Sequence, residues 1–256
     1  MRHLFCASLL CSVVSFLLQA ADPSLLLWLP FDEGAGTFSC DRSAHALEAD
    51  LSNVQWAKGA FGTALRFGGT DAAVSVPAVP GLNGATQFTL SVWVTWEDPS
   101  PRRYPNLLSS QNWSPGGLMF FVSDNTCSFR MGRPGHRANV AGEQWAETGV
   151  SLLNALPPRR WTHLCVTFDL PHLTAYVNGK PAGRATWPYP AAADALRLGG
   201  WNGPVSHNGL LDDLRIYARA LAVPEIAALA ADPSRADAAY ALAEDAALPA
   251  ATFSNR

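Results

Sequence analysis

The sequence predicts an all-β fold, a sandwich of two antiparallel sheets, and three observations predict it. From Leu25 onward the chain breaks into short apolar runs separated by Gly, Pro, Asn and Asp, the punctuation of strands rather than helices. Within the runs apolar residues recur at every second position, most cleanly in Phe88, Leu90, Val92, Val94 and Trp96, which places them on one face of a pleated strand. Asn178-Gly179 follows Val177 directly, and a two-residue type I′ hairpin asks for this pair because both central residues need positive φ.

The elements follow in order. Leu25 to Phe31 is apolar on both faces, as in a strand covered on both sides, and Pro30 pushes it toward an edge or a bulge. Val74-Ser75-Val76 and then Phe88 to Trp96 are the next strands. Leu118 to Val122 and Cys127 to Met131 form a pair joined by Ser123-Asp124-Asn125-Thr126 as a turn. Trp161 to Asp169 leads through Leu170-Pro171-His172 into Leu173 to Val177 and the Asn-Gly turn. Leu196 to Gly199 precedes a closing strand, Asn208 to Tyr217. A regular strand there puts Leu210, Asp212, Leu214 and Ile216 on one face and Leu211, Asp213, Arg215 and Tyr217 on the other. At most one short helix is expected, near Pro224 to Ala231. Trp28, Trp93 and Trp161 are assigned to the core.

At 256 residues, 48% hydrophobic and 15% charged, the chain has enough apolar matter for one well-buried core, and a single domain over residues 22–231 is expected. Residues 1–21 have the shape of a secretory signal peptide: Met1-Arg2-His3, an apolar run from Leu4 to Leu18 and small residues at Ala20 and Ala21. That run is shorter than the roughly 20 residues a membrane-spanning helix needs. The mature protein is therefore expected to be secreted, periplasmic or at the cell surface, with no membrane insertion. Residues 232–256, rich in Ala and Asp, suit a weak helix or a disordered tail. A net charge of -3, from 18 Lys and Arg against 21 Asp and Glu, leaves no footprint for nucleic acid. Beyond the leader stand Cys40, Cys127 and Cys165; one disulfide among three possible pairings, or three buried free thiols, both suit them.

Six segments in order carry a resemblance. Phe31-Asp32-Glu33-Gly34-Ala35-Gly36, Gly59 to Phe67, Phe88 to Val94, Arg160 to Leu164, Tyr176 to Lys180 and the closing strand resemble the motifs of laminin G-like jelly-roll domains of the concanavalin A-like lectin and glucanase superfamily, in secreted bacterial proteins. The resemblance spans about residues 25 to 230 and implies a two-sheet jelly roll. It departs from the pattern at Asn178, where Asp is frequent, and at Cys165, where Ala is more usual. It also implies that Cys127 and Cys165 lie on neighbouring strands and form the disulfide, if one exists.

The chemistry legible in the chain favours binding over catalysis. Jelly-roll glucanases place their carboxylates in a Glu-x-Asp-x-x-Glu motif on one strand, and no such motif occurs. Glu143 and Glu147 have the spacing of a solvated helical turn, and nucleophile elbow, phosphate loop and HExxH motifs are all missing. The resemblance brings the first and last strands side by side, so Asp32, Glu33 and Asp213 are candidate ligands for one structural Ca²⁺, an ion that takes carboxylate and carbonyl oxygens. The competing arrangement is a salt bridge of Asp213 with Arg215 and a turn cap by Asp32. Trp113, Trp187, Tyr189 and Trp201 stand in segments rich in Pro, Gly and Asn, where aromatic faces either stack on sugar rings or cap the sandwich ends. These readings lead to a secreted non-catalytic recognition domain whose loops bind a glycan or a cell-surface protein. The alternatives are a divergent glycoside hydrolase or lyase, and a structural envelope protein with protein partners only.

Overall fold

The computed structural model describes residues 22–68, 71–97, 106–111, 116–123, 126–132, 147–201 and 205–231. The expected leader, the tail from residue 232, Trp113, Glu143 and the turn at residues 124–125 lie outside the described residues. Those described form, in chain order, β1 (Leu25–Leu29), β2 (Phe38–Cys40), β3 (Glu48–Ser52), β4 (Gln55–Lys58), β5 (Thr63–Phe67), β6 (Ala73–Val76), β7 (Gln87–Val94), β8 (Asn106–Ser110), β9 (Leu118–Ser123) and β10 (Thr126–Gly132). There follow β11 (Glu147–Leu152), β12 (Thr162–Asp169), β13 (His172–Val177), β14 (Lys180–Thr186), β15 (Leu196–Leu198), β16 (Gly200–Trp201), β17 (Val205–Ser206), β18 (Gly209–Tyr217) and the helix α1 (Val223–Leu229).

Two antiparallel sheets result, as the alternation predicts. The first runs β14-β13-β12-β7-β18-β5-β4, with β1 added alongside β18; the second runs β11-β10-β9-β8-β15-β6-β3-β2. Every second residue of each sheet points between them. Phe88, Leu90, Val92, Val94 and Trp96 all enter the shared core, as expected. Phe168 meets Phe88 at 5.3 Å, Phe88 meets Phe129 across the sandwich at 6.4 Å, and Phe129 meets Phe120 edge-on at 5.5 Å. Aromatic pairs at such spacings add to the area they bury. The hairpin between β13 and β14 turns on Asn178 (φ 47°) and Gly179 (φ 75°), both left-handed, as a type I′ turn requires.

The outer face of the first sheet is covered. Ala57, Ala60, Ala64, Trp93, Trp161 and Leu210 form one apolar cap with Phe61. Leu25, Cys165, Tyr176, Tyr217, Leu221 and Ile226 form another, into which α1 packs. Pro224 opens that helix, and Glu225 Oε2 accepts the Ala222 N–H at 2.8 Å. Among the described residues helix is thus confined to the place the sequence allowed.

The closing strand departs from regularity. β18 pairs with β5 through Leu211 and with β1 from Leu214, and its register to β7 slips between Asp212 and Arg215. Asp213 takes a left-handed conformation, φ 48°, one that Asp tolerates better than most residues. This bulge resets the alternation. Leu211, Leu214 and Ile216 face the core while Leu210 turns to the outer cap. The expected grouping of Leu210 and Asp212 with Leu214 and Ile216 is corrected accordingly.

The expected Cys127–Cys165 bridge is not formed: both thiols are free and buried, and Cys40 is free and exposed. Cys127 on β10 points into the core between the sheets, whereas Cys165 on β12 points to the outer cap of the other sheet. Side chains on opposite sides of a sheet cannot bring their Cβ atoms together. Burial pushes both thiols well above the usual cysteine range, so each packs as a small apolar group.

Candidate functional site

The expected metal ligands do not converge as a set, and the carboxylates of the last strand stand at the bulge in the middle of β18. Asp213 Oδ1 accepts the Trp28 indole N–H at 2.7 Å and the Arg215 guanidinium at 2.9 and 3.1 Å. Arg215 in turn lies over the Trp28 ring, 4.5 Å from its centroid. Asp213 is therefore engaged in the salt bridge. Glu33 Oε1 accepts from Ser39 Oγ and the Cys40 N–H, which ties it to β2. Asp32 Oδ1 accepts the Thr63 N–H at 3.1 Å, and Thr63 donates its hydroxyl to Phe31 O at 2.6 Å.

The residue that joins Asp32 is Asp212. Its Oδ2 accepts the Phe61 N–H at 2.9 Å, and its Oδ1 is buried without a partner among the described residues. Burial pushes this carboxyl well above the ordinary aspartate range, and the Asp213 and Asp32 charges add to the shift. Gly59 lies against it: a Cβ there would stand 2.5 Å from Asp212 Oδ2 and 2.6 Å from both Phe61 O and Thr63 O. Oxygens of one carboxylate and two carbonyls thus surround a cradle that only glycine leaves open, and Asp32 Oδ1 lies against the nearby Gly62. Among the described residues no three His, Cys, Asp or Glu side chains gather as a metal cluster, but calcium accepts backbone carbonyls as readily as carboxylates. This donor set fits that ion.

The aromatic candidates do not form one platform. Trp187 is 0% exposed and belongs to the core, which corrects its expected role as a stacking surface. Its backbone N–H donates to Pro171 O at 2.7 Å, and this contact draws the segment inward. Tyr189 is 47% exposed and packs edge-on against Trp187 at 5.4 Å. The backbone of Trp201 lies on β16, which runs beside β8. Trp113 is outside the described residues. An open depression of about 500 Å³ on the β13–β14 hairpin is lined by His172, Thr174, Arg184 and Thr186, none of which is among the buried groups left without a partner.

The outer face of the second sheet does gather such groups. The parity of each strand is fixed by its core residues: Leu118, Phe120 and Val122 on β9, Phe129 and Met131 on β10, and Leu196 and Leu198 on β15 point inward. Met119 and Phe121, Ser128 and Arg130, and Arg197 therefore point outward. On β8 a bulge separates Asn106, opposite Phe121, from Ser109, opposite Met119, so both side chains join the outer row. Arg197 sits directly across from Ser109 on one side and Ser75 on the other. Asn106 Oδ1, Ser109 Oγ and Arg197 Nε are all buried with no partner among the described residues. Each such group costs about 1–3 kcal/mol when left unmade; Asn106 and Ser109 lie beneath the surface, while Arg197 is half-buried and Ser75 and Asp50 beside it are exposed. Arg130 lies over the buried Phe121 ring at 5.9 Å and donates to Ser151 Oγ at 2.8 Å. The sequence carried a signal for Arg197, because Leu-Arg-Leu alternation puts the Arg opposite two buried Leu. For Asn106 it carried none, because a bulge sets its direction.

Two buried histidines complete the polar interior. His163 Nε2 pairs with Ser91 Oγ at 2.8 Å, and His207 Nε2 with Thr95 O at 2.8 Å. Burial holds them at about 3 and about 4, with Arg215 adding to the first shift. Both are neutral at pH 7 and enclosed, so neither is a proton carrier for an external substrate.

A family model described as the concanavalin A-like lectin/glucanases superfamily matches residues 67–227. No curated protein matches the sequence significantly. Among solved structures, the binding domain of botulinum neurotoxin serotype D is similar with a TM-score of 0.64 and 14% identity, over 81% of this chain and 50% of that one. The binding domain of Paraclostridial Mosquitocidal Protein 1 gives 0.62 and 18%, over 81% and 52%. A serotype D ligand binding domain in complex with N-acetylneuraminic acid gives 0.65 and 13%, over 81% and 50%. The chain spans about half the length of these structures, and at such identities the likeness is one of fold.

Proposed function

Because this chain belongs to the concanavalin A-like lectin/glucanases superfamily, we propose that it is a secreted, non-catalytic recognition domain that binds carbohydrate across the outer face of its second sheet. The observation that carries the reading is the cross-strand row of Asp50, Ser75 and Arg197, polar side chains that reach solvent on the outer face of the second sheet. Sugars offer the matching chemistry, with hydroxyls that both donate to Asp50 and accept from Arg197 and Ser75. Binding domains on the same fold, one of them in complex with N-acetylneuraminic acid, support recognition as its task. Secretion rests on the leader-like residues 1–21; among the described residues no helix is long and apolar enough to cross a membrane. A glycan array with the mature protein is expected to give binders that the double variant Ser75→Ala, Arg197→Gln loses. An array empty for both would move the reading to a cell-surface protein partner.

One structural Ca²⁺ belongs to the same proposal. Asp212 and Asp32, with Phe61 O and Thr63 O, would hold it where β1 and β5 meet β18, fixing the first strand to the last. A second functional reading, hydrolysis, has one observation in its favour. Glu48 and Asp50 share the exposed outer face of β3, two positions apart and so within the separation of a carboxylate pair. Polysaccharide cleavage that Glu48→Gln abolishes would establish that reading in place of simple binding.

A further inference from the structure

The depression on the β13–β14 hairpin, about 500 Å³, has the size of a small-molecule site, which runs from about 300 to 1,000 Å³. Strand parity sets its wall. Leu173 and Ala175 point into the core and Ala185 packs against it, so His172, Thr174, Arg184 and Thr186 project from the outer face of the first sheet. Neither apolar cap includes this part of the face. His172 stands directly across from Thr186, and Thr174 from Arg184. Cross-strand neighbours lie about 5 Å apart and positions two along a strand about 7 Å, so these side chains mark the corners of one small rectangle. His172, Arg184 and Thr186 are exposed and Thr174 is half-buried, which leaves all four within reach of a ligand.

The wall offers donors and no negative charge. Arg184 can only donate, the threonine hydroxyls donate or accept, and His172 donates from its ring. No carboxylate lines the depression. Arg184 forms no ion pair with a described carboxylate, and Asp169, across from His172 on β12, accepts the Gln87 amide at 2.9 Å. A neutral molecule would leave the guanidinium without a counter-charge. A planar carboxylate forked onto Arg184 turns both of its oxygens to one corner. A tetrahedral group points its terminal oxygens in different directions and meets the guanidinium and the opposite corners together. We propose that the depression binds the phosphoryl group of a small phosphomonoester, as a site separate from the carbohydrate face of the second sheet. The Arg184 guanidinium forks onto two of the phosphoryl oxygens. Thr174 and Thr186 donate their hydroxyls from the two strands, and His172 donates to the third oxygen. The second negative charge of the ester, which a sulfate ester lacks, suits a wall with no acidic group, and the remaining volume takes the organic body.

Titration calorimetry of the full chain with phenyl phosphate, phenyl sulfate, benzoate and phenol tests this. Phenyl phosphate is expected to bind, with phenyl sulfate and benzoate weaker by on the order of 10-fold and phenol silent. Arg184→Gln should weaken phenyl phosphate by on the order of 10- to 100-fold, the worth of a charge-assisted pair. Its melting temperature should not change, because the side chain is exposed, and Arg184→Lys should keep part of the affinity. Thr174→Val and Thr186→Val should each give a smaller loss. No binding of phenyl phosphate, benzoate or phenyl sulfate bound as tightly, or binding that survives Arg184→Gln would overturn the proposal and leave the carbohydrate reading untouched.

Discussion

Asp212→Asn should change the stability of the domain in opposite directions with and without calcium. Without the ion, the native carboxylate is buried with Oδ1 unpaired and faces the charges of Asp213 and Asp32. The amide keeps the shape, keeps an oxygen for the Phe61 N–H at 2.9 Å, and removes the repelled charge. The variant should therefore be more stable in EDTA, by about 1 kcal/mol. With calcium at 100 times its dissociation constant, the native protein gains about 2.7 kcal/mol, because the ion binds only the folded arrangement of β1, β5 and β18. The variant forgoes most of that gain. A domain of this size shifts by about 2–4 °C per kcal/mol, so native melting should rise by about 5–11 °C between EDTA and millimolar calcium, and the variant's should barely move. Thermal melts by circular dichroism at pH 7 read all four values. Identical native melts in calcium and EDTA would refute the ion, and a variant equally destabilised in both would assign Asp212 to packing alone.

Other outcomes follow from the same packing. His163 and His207, held at about 3 and about 4 against an ordinary 6.5, bind protons in the unfolded chain before the folded one. Their contribution is complete above pH 6.5 and is lost as pH falls toward 4 and then 3, on the order of a few kcal/mol each; urea melts at pH 7.5 and 4.5 should show it, and His163→Gln should reduce the difference. Cys127 and Cys165 should react with a thiol reagent only after unfolding, and Cys40 in the native protein; a non-reducing peptide map with the first two linked would contradict the face assignment. Trp187→Ala should cost about 3–5 kcal/mol by emptying a core position, while Tyr189→Ala should stay within about 0.5 kcal/mol. A Trp187 variant of native stability that loses sugar binding would return that residue to the surface.

What the sequence discloses and what it hides divide along physical lines. Alternation within a strand depends only on the pleat, so the core face of β7 and the turn at Asn178-Gly179 could be read directly. Parity also carried the answer for the cysteines: Cys165 alternates with Leu164 and Val166, and Cys127 shares its face with Phe129 and Met131, so the two thiols had to point to different layers. The bulge at Asp213 was hidden because it exists where β18 exchanges β5 for β1 as a partner. That exchange is a long-range event, and it decides which of two adjacent aspartates meets Asp32. Trp187 was misread for a related reason. Pro188 and Pro190 mark a loop by local chemistry, but the Trp187 N–H bond to Pro171 O turns the indole into the sandwich. Asn106 faces outward only because the register of β8 slips against β9.

The claim that the outer face of the second sheet is the recognition surface is tested most directly by backbone amide chemical-shift mapping, titrated with the oligosaccharides that bind in the array. The account predicts that the perturbed amides cluster on β3, β6 and β15 around Asp50, Ser75 and Arg197, with β13, β14 and Tyr189 unaffected. Saturable shifts confined to Tyr189 and the strand-end loops, with β6 and β15 silent, would contradict it.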